Sequence, residues 1–136
     1  MKKQLLDTLH RAKDYTLAVA GAMPEKDYAF KPEGAGWNFA ELLNHIGYGV
    51  QWWQNNYLLG KQTQWQPLVL NDEKNHVLDY LAKVFQDLEE TCQGLSLSND
   101  REQIGFHATL DHVTHHRGQA VVYLRCHGIT PPEYIY

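Results

Sequence analysis

Apolar residues recur at three- and four-residue steps through four separate stretches of this chain, and that rhythm restricts the fold more than any other feature. The cleanest stripe runs through Val77, Leu78, Leu81, Val84, Phe85, Leu88 and Cys92. Side chains three or four apart share one face of a helix, so these residues can be buried together only if the stretch is helical. From about Lys2 to Ala20 the pattern repeats with Leu5, Leu6, Leu9, Ala12, Thr16, Val19 and Ala20. It repeats in Phe39, Leu42, Leu43, Ile46, Val50, Trp53 and Tyr57, and again in Phe106, Leu110, Val113, Ala120, Val121 and Leu124. No stretch competes with the two-residue alternation of a strand. The expectation is an all-α chain.

The breaks between these stripes carry their own signals. Gly21 is the expected stop of the first helix, with Pro24 beyond it. Pro24, Pro32, Gly34 and Gly36 punctuate the longest irregular stretch, which Tyr28 and Phe30 should pin by burying their rings. Asn38 suits the N-cap of the second helix and Gly60 its end. Lys61 to Leu70 reads as a polar connection containing Trp65 and Pro67, after which Asn71 or Asp72 caps a third helix closed by Gly94. Asn99 and Glu102 have capping-box spacing before a fourth helix that runs to Cys126 or His127, with Gly128 as its stop. Four such helices predict a four-helix bundle, one domain over 1–136.

Composition narrows the function. The twelve Lys and Arg are scattered and the net charge is −4, which argues against a nucleic-acid surface. No apolar run approaches the roughly 20 residues of a membrane span. Asp7, His10 and Arg11 interrupt the first apolar run too early for a signal peptide, so the expected location is cytoplasmic. Cys92 and Cys126 match no zinc or redox spacing and read as two reduced, partly buried thiols.

A second stripe on the fourth helix holds Thr109, His112, His116, Gln119 and Tyr123. His112 and His116 are four apart, so their imidazoles can share one metal ion. No Glu follows His112, which separates the pattern from a zinc-protease helix. His115 could replace His116 as a ligand at this level of reading. A catalytic metal site commonly takes three protein ligands and keeps one position open. His45, on the second helix beside Tyr48 and Trp52, is the candidate for the third. Tyr48, Trp52, Gln119 and Tyr123 are then candidate walls of a substrate pocket. Three neutral imidazoles suit zinc, nickel, copper or iron(II) rather than magnesium or calcium. The competing reading makes the same histidines hydrogen-bonded core residues.

The segment His112-Val-Thr-His-His116-Arg117-Gly118-Gln119, with Tyr123-Leu124-Arg125 and Gly128-Ile-Thr-Pro131-Pro132, resembles the C-terminal signature of the DinB/YfiT-like family. Trp37-Asn38-Phe39-Ala40-Glu41-Leu42-Leu43-Asn44-His45-Ile46 is similar to its second-helix signature. The resemblance implies a DinB-like four-helix bundle with a long crossover connection, and a divalent metal, zinc or nickel, on His45, His112 and His116. It favours His116 over His115 and implies a homodimer. It leaves Arg117 to tie the helix to a neighbour or a carbonyl, and Gly118 to permit close helix packing. Relatives include thiol-dependent transferases and an isomerase, so it also implies a small electrophilic substrate and a low-molecular-weight thiol co-substrate, in a transferase or hydrolase reaction. The alternative is a non-catalytic module that binds a small ligand or metal on the same bundle.

Overall fold

The computed structural model describes residues 1–135. Its long elements are α1 (Lys2–Ala22), α2 (Phe39–Trp53), α3 (Lys74–Gly94) and α4 (Asp100–Cys126). A short 3-10 turn occupies Glu25–Asp27 and a π turn, Gln54–Leu58, continues α2. No strand occurs among the described residues, and none of their helices is long and apolar enough to cross a membrane. α2 packs on α3 and α4, and α1 packs on the same two helices, so α1 and α2 stand at opposite corners of the bundle. The connection between them therefore crosses over. The stripes meet inside: Leu9 and Val19, Phe39 and Ile46, Leu81 and Phe85, Phe106 and Val113 are all buried.

α1 continues through Gly21 rather than stopping there. Pro24 sets the end, because its ring disfavours helical backbone in the preceding residue; Met23 is extended, with φ −76° and ψ 126°. The freed carbonyls find donors elsewhere. Tyr28 Oη donates to the Ala20 carbonyl at 2.7 Å, and Lys74 Nζ donates to those of Gly21 and Met23 at 2.9 and 2.8 Å. Tyr28 is thus buried as a brace for the helix end, and Phe30 is partly buried.

At the start of α2, Asn38 Oδ1 accepts from the Glu41 amide at 2.8 Å while Glu41 Oε1 accepts from the Asn38 amide at 3.1 Å. Neither Asn71 nor Asp72 caps α3, whose N-cap is Glu73 without a side-chain bond. Asn71 Oδ1 accepts from the Glu73 amide and Asp72 Oδ1 from Asn44 Nδ2, so both side chains are spent in the turn before the helix. Gly94 is the last residue of α3 and Leu95 follows as its C-cap. Asn99 does cap α4, accepting from the Glu102 amide at 2.9 Å.

Trp53 and Tyr57 leave the core stripe. The π turn closes hydrogen bonds between residues five apart instead of four, which widens the turn and shifts the phase, leaving the two rings half-buried and packed on each other at 4.7 Å. Gly105 of α4 sits against Tyr57 there: a Cβ on it would lie 2.5 Å from Tyr57 Cβ. Gly118 has no such role. It is exposed, and a Cβ on it would meet nothing within 4 Å, because it lies on the solvent side of α4. Arg117 is buried, and its Nη1 donates to the Ala12 carbonyl at 3.4 Å, tying α4 to α1. Both thiols are free; Cys92 is buried and Cys126 exposed.

Candidate metal centre

α2 and α4 lie side by side, and three imidazoles meet at their contact. His45 Nε2 is 3.0 Å from His116 Nε2 and 3.2 Å from His112 Nε2. Bonds of about 2.0–2.1 Å from a tetrahedral ion to nitrogen put neighbouring ligand atoms about 3.3 Å apart, so these separations suit a shared ion. The described residues contain this one group of three or more ligand-type side chains close enough to hold a metal. His115 stays exposed outside it, with its ring 4.8 Å from that of His116.

The donor chemistry also fits. Gln119 Oε1 lies 2.8 Å from His116 Nδ1. A carbonyl oxygen only accepts, so the His116 proton sits on Nδ1 and the lone pair of Nε2 points into the cluster. His112 Nδ1 is buried with no partner among the described residues. Burial, followed by the neighbouring His116, pushes the pKa of His45 down to about 4. Burial, then His116, His45 and His115, pushes His112 down to about 4. His116 is also lowered by burial, against the raising effect of Gln119. Near neutral pH the cluster is uncharged, which is the form that ligates a metal. A divalent ion held there would keep its full charge.

Gly49 makes room for this arrangement, since a Cβ on it would stand 2.1 Å from Cε1 of His112. A glycine in a helix interior costs roughly 1 kcal/mol relative to alanine, and that cost is the signal by which Gly49 could have been noticed. Two tryptophans from the connections complete the surroundings. Trp37 stacks on His45 with ring centroids 4.4 Å apart, and Trp65 stands edge-on to His45 at 5.6 Å. Sequence reasoning missed both roles, because a connection has no period that places a side chain.

The candidate pocket residues separate into different surroundings. A cavity of about 300 Å³ opens beside His45, and Trp37, Glu41, Asn44, Tyr48, Asp72 and the apolar run from Pro67 to Leu70 line it. Tyr48 Oη accepts from the Gln66 amide at 2.7 Å. Trp52 lies outside this cavity; its Nε1 donates to the Thr63 carbonyl at 3.2 Å and its ring meets Trp65 at 5.6 Å. Gln119 and Tyr123 line a second, more open cavity of about 460 Å³ on the other side of Trp37. Tyr123 Oη donates to the Trp37 carbonyl at 2.8 Å and so helps to hold that indole.

Fold and cluster together define an all-helical bundle with a three-histidine centre between two of its helices. The sequence pattern of the DinB superfamily matches residues 8–120, and the chain belongs to that superfamily. It is similar in structure to a DinB-like protein from Bacillus cereus ATCC 10987, with a TM-score of 0.82 over 98% of this chain and 97% of that one. The two are 18% identical, so the likeness carries the fold alone. No curated protein matches the chain.

Proposed function

We propose that this chain is a metalloenzyme in which His45, His112 and His116 hold one divalent transition metal, zinc or nickel, and which acts on a small electrophilic substrate with a low-molecular-weight thiol or water as nucleophile. The observation that carries this reading is the convergence of the three Nε2 atoms beside a cavity of about 300 Å³. Such an ion, when bound, supplies positive charge that lowers the pKa of a thiol or water in its open position. The protein's own groups do the rest. Gln119 keeps the proton on His116 Nδ1 and so holds that ring in its ligating orientation. Trp37 and Trp65 shield the His45 imidazole from water. Tyr48 accepts from the Gln66 amide, which leaves its own hydroxyl proton to be donated toward a substrate oxygen in the cavity.

Elemental analysis of untagged protein tests the reading first. About one equivalent of metal is expected in wild type and none in a folded His112→Ala/His116→Ala variant. Turnover against a panel of thiol acceptors and hydrolysable esters should then vanish on chelation and in His116→Ala. A metal-loaded protein that binds such a compound but leaves it chemically unchanged would instead be a binding module. Absence of metal, with no uptake on titration, would make the histidines core residues.

A further inference from the structure

A third cavity, of about 150 Å³, lies between α1 and α4, on the face of α4 turned away from the histidine cluster. Arg11 and Thr8 come to it from α1, Thr114 and Arg117 from α4, and Tyr134 from the segment that follows α4. Among the described residues, the lining contains two guanidinium groups and no carboxylate. The chain as a whole carries a net charge of −4, so this is a local concentration of positive charge against the general balance.

Arg117 is the unusual member. It is 6% exposed, yet none of the ion pairs among the described residues includes it. A buried cation without a counter-charge is unfavourable unless other groups compensate. Part of the compensation comes from rings: the guanidinium lies 4.9 Å from the centroid of Tyr15 and 5.7 Å from that of Tyr134. Rings cover the flat faces of the group, whereas its five N–H bonds lie in the plane of the fork. The described residues offer that plane one acceptor, the Ala12 carbonyl at 3.4 Å. The remaining donors are suited to oxygen atoms that the described residues do not provide.

The neighbouring groups reinforce this. Thr8 Oγ1 donates to the Gln4 carbonyl at 2.9 Å and accepts from Arg11 Nη2 at 3.2 Å, which holds Arg11 at the cavity. Of the two acids flanking Arg11 on α1, Asp7 is paired with Lys3 at 2.7 Å, and Asp14 forms no ion pair with Arg11 among the described residues.

We infer that this cavity binds a small oxyanion, a carboxylate or a phosphate group, between Arg117 and Arg11. The planar fork of arginine matches both kinds of group through paired N–H···O bonds. A bound anion would supply the missing counter-charge and join α1, α4 and the segment around Tyr134. The site is separate from the metal centre and does not depend on its reading.

The test uses the full chain after chelation, so that no anion can bind through a metal at the histidines. Phosphate, sulfate and acetate are titrated against chloride at equal ionic strength, with calorimetry and thermal shift as readouts. Saturable binding of at least one oxyanion is expected, with higher Tm as it binds. A response to phosphate or sulfate without acetate assigns a phosphate-type ligand, and the reverse assigns a carboxylate. Arg11→Ala removes an exposed side chain outside the core and the metal centre, so it should fold and bind about tenfold more weakly or worse. Arg117→Lys keeps the charge but loses the fork and should also weaken binding; if it fails to fold, Arg11→Ala still decides. The inference is overturned if no oxyanion acts differently from chloride, if Arg11→Ala binds as wild type does, or if His112→Ala/His116→Ala abolishes binding.

Discussion

Gly49 has no side chain where the imidazole of His112 lies, and this one absence makes room for a candidate ligand. The atom that an added Cβ would meet is Cε1 of the His112 ring, 2.1 Å away. A side-chain ring can rotate aside where backbone cannot, so Gly49→Ala should leave the fold intact and move the ligand. The expected result is a loss of about tenfold to a hundredfold in metal affinity, the range seen when groups that orient ligands are disturbed. Competition with a chelator measures it, and an unchanged affinity would show that the ring is free to adjust. His112 and His116 were legible as candidate ligands, because i,i+4 spacing on a helix is a geometric fact about sequence. Trp37, Trp65 and the proton-fixing contact of Gln119 were not, since each depends on where a connection or a rotamer falls.

At the scale of elements, helix ends explain more than propensity does. The reciprocal bonds between Asn38 and Glu41 satisfy two groups at the start of α2. Asn99 satisfies one at the start of α4, while the Glu102 carboxylate accepts from Ser96 Oγ at 3.2 Å instead of returning the bond. Asn38→Ala should therefore cost about 1 kcal/mol, a fall of roughly 4 °C in Tm for a domain of this size. Thermal unfolding of chelated protein checks the value; no change would mean that water replaces the cap. The same end positions Trp37 over His45, so the cap lies close to the candidate site as well as to the core. The π turn at Gln54–Leu58 shows the limit of pattern reading. The stripe of α2 runs on through Trp53 and Tyr57 in sequence, yet one widened turn takes both rings out of the core.

For the molecule as a whole, the buried imidazoles link folding to pH. His45 and His112 have folded pKa values of about 4 against an ordinary 6.5, in each case chiefly through burial. The unfolded chain therefore binds more protons than the folded one between these values, and stability rises with pH across that window. The contribution is complete above about 6.5 and is lost as pH falls toward 4. Metal-free wild type should lose Tm over that range, and His112→Ala/His116→Ala should lose less. Equal slopes in the two proteins would contradict the assigned burial. The crossover between α1 and α2 places them at opposite corners of the bundle and leaves α2 against α4, where His45 faces His112 and His116.

The sequence by itself determined four helices, their approximate ends, most of the buried stripe and the histidines able to share an ion. These follow from local spacing, because three- and four-residue steps make a helix face and a proline or an asparagine marks its limit. Tertiary structure alone decided the rest. The division of the pocket around Trp37, the room that Gly49 leaves for His112 and the buried guanidinium of Arg117 between two tyrosine rings all join residues far apart in sequence. Such contacts are set by how helices and connections pack against one another, and no local period in the chain encodes them.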